Sequence, residues 1–147
     1  MPFHFPLQTV LHYRQSMEHQ QELRLRAANQ QVARAQHLIE QMDLQRKELR
    51  SMEMEELSSG TTAAELQFGL LREAAMLRRR REFEQQLTRM QQLRDQQREI
   101  FQQARRGRET LESVRDQQLS LYKKDAARRE QRSLDDLFLM RREYLRS

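Results

Sequence analysis

Apolar residues recur at alternating steps of three and four along the first half of this chain. The clearest run, between residues 25 and 49, consists of Leu25, Ala28, Val32, Ala35, Ile39, Met42 and Leu49. This alternation is the a/d repeat of a coiled coil, in which one narrow stripe of a helix faces a partner helix. Arg46 occupies one of these positions, and Glu18 and Gln21 continue the register toward the N-terminus. The sequence therefore predicts a long helix whose packed stripe contains polar residues.

One segment, Ser58-Ser59-Gly60-Thr61-Thr62, interrupts the helical pattern. Gly60 can adopt the left-handed conformation that ends a helix, and Thr62 with Glu65 fits the capping box that begins one. We therefore predict an all-α fold, a long antiparallel two-helix coiled-coil hairpin that forms a single domain over residues 1–147. Its first arm covers about 6–57, its turn 58–62 and its second arm about 63–145.

The stripe of the second arm is more diluted. Leu66, Leu70 and Leu77 are expected to begin it. Its later apolar members are Phe83, Leu87, Met90, Phe101, Ala104, Leu111 and Tyr122. The same heptad frame also contains Arg94, Gln97, Arg108, Arg115 and Gln118. Such a stripe is a poor core for a dimer but can accept one antiparallel helix.

The two arms differ in length, which leaves part of the second arm without a partner helix. Folding about Gly60 pairs residue i with about residue 120 − i, so Phe5 is expected near Arg115 and residues beyond about 116 overhang. The overhang contains the apolar residues Leu134, Leu137, Phe138, Met140, Tyr144 and Leu145. An apolar helix face without an intramolecular partner indicates binding to another molecule.

The composition argues against catalysis. The chain has no cysteine and four histidines, and His12 and His19 lie about 10 Å apart along their helix, too far to bind one zinc ion. A helical rod also offers no cleft that would shift the pKa of its carboxylates. We therefore predict that the chain is not an enzyme and has no catalytic residue, cofactor or metal site. The N-terminus lacks the features of a signal peptide, and no apolar run approaches the length of a membrane span.

Two local features allow more than one interpretation. Arg78-Arg79-Arg80-Arg81 is interpreted as a solvated run, a docking site for an acidic protein or a nucleic-acid contact. The alternating Phe3, Phe5 and Leu7 either close the first helix as a hydrophobic staple or form an exposed docking element.

The two ends of the chain carry the motifs of a known family. The opening Phe3-x-Phe5-x-Leu7-x-x-Val10-Leu11-x-x-Arg14 and the late segment Glu130-Gln131-Arg132-Ser133-Leu134-Asp135-Asp136 resemble the flagellar FliJ family of export proteins. The length and the single reversal agree with this resemblance, whereas the Arg-rich, almost Lys-free surface departs from the family's pattern.

The resemblance implies a stalk-like coiled coil, similar to the stalk subunit of rotary ATPases, in the flagellar type III export apparatus. Its partners would be the ring-shaped export ATPase, whose assembly it promotes, the export gate in the membrane, and free export chaperones. It would act in the cytoplasm, peripherally at the cell membrane of the flagellar base, in flagellum biogenesis and motility. The residues expected to face the ATPase are Phe3, Phe5, Leu7, Leu11, Leu134, Leu137 and Phe138. A weaker expectation assigns Phe68, Leu71 and Met76 to the gate.

Two other classes of function remain open from the sequence. One is a structural coiled coil that associates with itself as a scaffold. The other is an Arg-rich coiled coil that binds nucleic acid, whose phosphate contacts would make binding depend on salt.

Overall fold

Two α-helices contain nearly all of the residues, 2–147, that the computed structural model describes. Helix α1 is Gln8–Ser59 with 52 residues, and helix α2 is Ala63–Arg146 with 84 residues. The two helices pack against each other, and no strand occurs in the described range. The predicted all-α helical hairpin is therefore confirmed.

The reversal between the helices has the predicted glycine conformation and one of the two hydrogen bonds of the predicted capping box. Gly60 has a φ of 97°, a conformation that a side chain would strain. On the far side of the turn, the Thr62 hydroxyl accepts a hydrogen bond from the Glu65 backbone N–H at 3.3 Å. At the end of helix α1, the hydroxyls of Ser58 and Ser59 donate to the carbonyl groups of Glu55 and Glu56, at 2.7 and 3.0 Å.

Side-chain pairs between the helices establish that they run antiparallel. Moving away from the turn, Glu53 pairs with Arg72 across 19 residues of sequence, Arg46 with Glu73 across 27, and Asp43 with Arg80 across 37. Nearer the chain ends, Glu18 pairs with Arg108 across 90 residues and Gln15 with Glu112 across 97.

The chain divides into two compact units, which are described separately. Unit 1 is Met1–His19 with Gln103–Ser147, and unit 2 is Gln20–Gln102. In unit 2 the buried residues are Val32, Ala35 and Ile39, all on the predicted a/d stripe, together with Gln21. In unit 1 they are Phe5 and Leu11.

Near the turn, the predicted stripe of the second arm is wrong. Leu66 and Leu70 are exposed, and Leu70 is 72 % accessible. Gly69, Arg72 and Glu73 are the half-buried residues here instead. The heptad spacing identified the right period but not which residues turn toward α1 in the first turns after the reversal.

The pairing in unit 1 is displaced by five to seven residues from the predicted one. Glu18 pairs with Arg108 and Gln15 with Glu112 within the helical part of the chain, and Phe3 contacts Tyr122, with ring centroids 5.6 Å apart. The predicted pairing would place Phe3 near Gln117. Residues 2–5 are not helical, and α1 begins at Gln8.

Candidate protein-interaction surfaces

The polar positions of the packed stripe in unit 2 are joined by ion pairs between the helices. Arg46, which the sequence shows as an interruption, donates from Nε to Glu73 Oε1 at 2.7 Å. Arg80 donates to Asp43 at 2.6 and 3.2 Å and also pairs with Glu84. The hydrogen bond from Arg80 is the main cause that lowers the pKa of Asp43 below its ordinary value of 3.8. The charges of these side chains are therefore paired with each other within the chain.

A similar network joins the helices in unit 1. Arg108 pairs with Glu18 and donates to Glu112 at 2.7 Å. The hydrogen bond to Glu18 is the largest cause that raises the pKa of Arg108 above its ordinary value. Gln15 donates to Glu112 at 3.5 Å. The polar side chains in this part of the stripe are hydrogen-bonded to one another. Candidate surfaces for binding a partner protein therefore lie elsewhere on the chain.

The arginine run in unit 2 is partly committed to contacts within the chain. Arg80 forms the ion pairs described above, and the Arg79 guanidinium lies 5.8 Å from the centre of the Phe83 ring. A cation over an aromatic face is attracted to its electrons. Two of the four arginines therefore have intramolecular partners, which reduces the positive charge that the run can offer to another molecule.

The N-terminal motif in unit 1 is largely packed against α2 rather than exposed to solvent. Phe5 is 4 % exposed and Leu11 is fully buried, whereas Leu7 is 41 % exposed. Phe3 is half-buried in a tilted contact with Tyr122. Of the two interpretations of Phe3, Phe5 and Leu7, the exposed docking element does not hold for Phe5, whose side chain is buried, as is that of Leu11. Binding of a partner by any of the four residues stays a prediction.

Among residues 2–147, none packs on the C-terminal segment of α2. Every residue from Ala127 to Ser147, a segment called the tail below, is exposed, whereas Ala126 is still half-buried. The overhang thus begins about ten residues later than predicted, mainly because the register of the two helices is displaced toward the C-terminus of α2. Seven large apolar residues of the tail are exposed, namely Leu134, Leu137, Phe138, Leu139, Met140, Tyr144 and Leu145.

The structure does not join the predicted ATPase-facing residues into one patch. Leu134 lies twelve residues beyond Tyr122, which is about 18 Å of helix. Leu7 therefore belongs to one surface, and Leu134, Leu137 and Phe138 to another. The surface near Leu7 also includes Val10 and Tyr13, which are exposed. Tyr13 was not predicted to belong to this surface; its signal in the sequence is an aromatic residue outside the a/d frame.

The apolar residues near the turn lie in unit 2. Phe68 and Leu71 are exposed, at 65 and 64 %, whereas Met76 is half-buried. Beside them lies a groove of about 630 Å³ between the ends of α1 and α2 nearest the turn. We call this the tip groove; its lining includes Glu53, Glu56, Leu57, Glu65, Leu66, Phe68, Gly69, Arg72 and Glu73.

Residues 2–147 hold no group of three or more histidine or acidic side chains placed to bind one metal ion. In the same range, neither helix combines the length and the hydropathy that crossing a membrane requires.

Comparison with known proteins identifies the family of the chain. No curated protein and no solved structure matches it with significance. The family model described as "Flagellar FliJ protein" matches residues 3–146 and so covers both terminal motifs, the turn and both helices. This chain therefore belongs to the flagellar FliJ family and is a protein related to flagellar export.

Proposed function

We propose that this protein is a stalk-like subunit that binds the ring-shaped ATPase of flagellar export, promotes assembly of the ring and couples it to the export gate. In this proposal it also handles export chaperones, works in the cytoplasm and stays at the membrane of the flagellar base through its partners. The role requires binding and no catalysis by the chain itself. The exposed apolar tail is the observation that carries the proposal.

Leaving the apolar side chains of the tail exposed to water is unfavourable in free energy. Burying a side chain such as Leu or Phe contributes about 1.5–3 kcal/mol, and the tail exposes seven large apolar residues within twelve positions. Helical spacing places Leu134, Leu137, Phe138 and Arg141 on one face of the tail. Most of the exposed apolar side chains of the tail lie on or beside this face. A helix of this kind binds in the groove of another protein.

The gate contact is assigned to the other end of α2. Phe68 and Leu71 support it, because both are exposed in the unit that does not contain the tail. Met76, the third residue expected there, is half-buried and would add a smaller contact. In this proposal the ATPase and the gate contact different residues of the chain, and these residues can be substituted independently.

Pull-down of the export ATPase by purified variants tests the proposal. Leu134→Ala with Phe138→Ala should weaken capture by about tenfold or more, because truncation of central apolar anchors has effects of this size. Phe68→Ala is the matched control, since Phe68 and Phe138 are 65 and 67 % exposed. Capture of the ATPase at wild-type strength by the double variant would refute the assignment of the tail.

The reciprocal experiment uses the cytoplasmic part of the gate protein. Phe68→Ala with Leu71→Ala should reduce its capture, whereas the double variant of the tail should not. Sedimentation at several protein concentrations separates this role from a self-associating scaffold. A monomer at all concentrations supports the proposal, and a concentration-dependent oligomer that the tail substitutions abolish contradicts it.

A further inference from the structure

The sequence around the turn is acidic although the chain as a whole is basic. The net charge of the protein is +5, yet no lysine or arginine lies between Arg50 and Arg72. Four glutamates occupy that stretch, at positions 53, 55, 56 and 65. Negative charge is thus concentrated where the tip groove lies, and a ligand for this groove has to tolerate or match it.

Two of the acidic side chains at the tip groove are neutralised within the chain. Glu53 pairs with Arg72, and Glu73 receives Arg46 at 2.7 Å and Arg50 at 3.5 Å. Glu56 and Glu65 differ, because neither carboxylate has an ion-pair partner among residues 2–147. The groove therefore has two uncompensated negative charges, one from each helix.

Part of the lining of the tip groove is apolar. Leu57 contributes from α1, and Leu66 and Phe68 contribute from α2, with all three exposed. Gly69 leaves space between the helices, because a Cβ atom there would lie 3.2 Å from Glu53 Oε1, closer than an ordinary van der Waals contact. The groove thus combines apolar and acidic lining residues.

We propose that the tip groove binds a basic amphipathic helix of a partner protein. Leucine-like side chains of that helix would occupy the space between Leu57, Leu66 and Phe68. Its lysine or arginine residues would pair with Glu56 and Glu65. Apolar anchors give such a contact most of its affinity, while matched charges fix its orientation and exclude acidic helices.

The tail of a second copy of this chain is the competing occupant of the groove. Residues 127–147 carry six arginines against four carboxylates, and Arg141 shares a face with Leu134, Leu137 and Phe138. Sedimentation separates the two occupants: a monomer at all concentrations supports the partner helix, whereas an oligomer that Glu56→Gln with Glu65→Gln abolishes would overturn the proposal. The inference deepens the gate contact proposed above by naming its chemistry, and it can be tested without the gate.

The test uses the full chain and two synthetic helical peptides of equal length. Both carry leucines at positions i, i+3, i+4 and i+7, and they differ only in having lysines or glutamates at the flanking positions. In a fluorescence-anisotropy titration, the lysine peptide should bind and the glutamate peptide should not. Affinity should fall as NaCl is raised, because salt screens exposed charges beyond about 10 Å at 0.1 M.

Matched variants show whether binding occurs at the tip groove. Glu56→Gln with Glu65→Gln should weaken the lysine peptide by about fivefold, as expected for the loss of two exposed ion pairs. Gln at position 65 still suits the capping box, so α2 should begin normally. Phe68→Ala should weaken binding by about tenfold. Glu40→Gln with Glu82→Gln removes the same charge from exposed positions elsewhere in unit 2 and should have no effect.

Amide chemical shifts provide the second readout. Addition of the lysine peptide should perturb residues 53–73, and far-UV circular dichroism should report equal helicity for all variants. Three results would each overturn the proposal. They are equal binding of both peptides, an equal loss of affinity in the Glu40 and Glu82 control, and chemical-shift changes centred outside residues 53–73. If the full chain binds the lysine peptide at the tip groove but does not capture the gate protein, the groove proposal stands. Only the assignment of the gate as the source of the helix would then be contradicted.

Discussion

Gln97 donates a hydrogen bond from Nε2 to the side-chain oxygen of Gln21 at 2.6 Å and lies 3.4 Å from the backbone oxygen of the same residue. Gln21 is 7 % exposed and lies on the stripe of α1 that faces α2. A buried polar pair on a coiled-coil stripe favours the register that unites its two members, because a shifted register would leave both without partners.

Removal of one member of this pair should cost more than removal of both. Gln97→Ala leaves Gln21 buried without its partner, and we expect the free energy of unfolding to fall by about 1–3 kcal/mol. Gln21→Leu with Gln97→Leu should be neutral or stabilising, since apolar groups of similar size replace both. Urea denaturation measures the difference, and a double variant as unstable as Gln97→Ala would contradict it.

The two N-terminal leucines should respond differently to truncation. Leu11→Ala removes a fully buried side chain and should lower the free energy of unfolding by about 2–5 kcal/mol. Leu7→Ala, in the same segment but 41 % exposed, should cost less than about 1 kcal/mol. Urea midpoints of the two variants check this order. Equal losses would mean that Leu11 is not the packed residue of the motif.

Alanine at two glycines should have effects of opposite sign. Gly60→Ala places a side chain at a φ of 97° and should destabilise the protein by about 1–2 kcal/mol. Gly107→Ala should stabilise it by up to about 1 kcal/mol, because alanine favours a helix interior. The new Cβ at 107 would meet only Arg14, with its Nη1 atom at 3.4 Å. Thermal denaturation of both variants tests the prediction, which a shift in the same direction would contradict.

Acid should remove the contribution of Asp43. Its pKa is lowered chiefly by the hydrogen bond from Arg80, so the carboxylate stabilises the folded state fully above the ordinary value of 3.8. This contribution is lost as the pH falls through the lower value of the folded state. Asp43→Asn should therefore reduce the urea midpoint slightly at pH 7 and differ less from the wild type as the pH drops below 3.8. A difference that is constant with pH would contradict this assignment.

Deletion of the tail should leave the stability of the remaining chain almost unchanged. No residue from Ala127 onward is buried, so truncation after Ala126 removes no packed side chain. We expect the free energy of unfolding to change by less than about 0.5 kcal/mol while the helical signal falls with the lost residues. Circular dichroism during urea denaturation measures both. A loss of several kcal/mol would show that the tail packs on the chain.

The helices and the turn could be predicted because their determinants are local. Gly60 and Thr62 end one helix and begin the next through conformational and capping preferences that neighbouring residues do not override. The α1 stripe was predictable for a similar reason, since the three-and-four alternation identifies one face of a helix. Val32, Ala35 and Ile39 are buried as that pattern predicts.

The pairing of the helices was predicted less well, because it depends on contacts between distant residues. The predicted start of the first arm at about residue 6 agrees with the non-helical residues 2–5, but no local pattern indicates that Phe5 packs beside α2. Near the turn, Leu70 follows the heptad spacing but is exposed, while Arg72 is half-buried in its ion pair with Glu53. Which charged residues face each other could be inferred only from the register of the two helices.

The ion-paired stripe also affects how the protein responds to temperature. Exposure of apolar surface on unfolding raises the heat capacity, and exposure of polar surface lowers it. Only five apolar residues of the described chain are buried, whereas Arg46, Arg80 and Arg108 are held in ion pairs between the helices. We therefore expect the increase in heat capacity per residue on unfolding to be smaller than the usual value of about 12–15 cal/mol/K, and the curve of stability against temperature to be correspondingly broad and shallow.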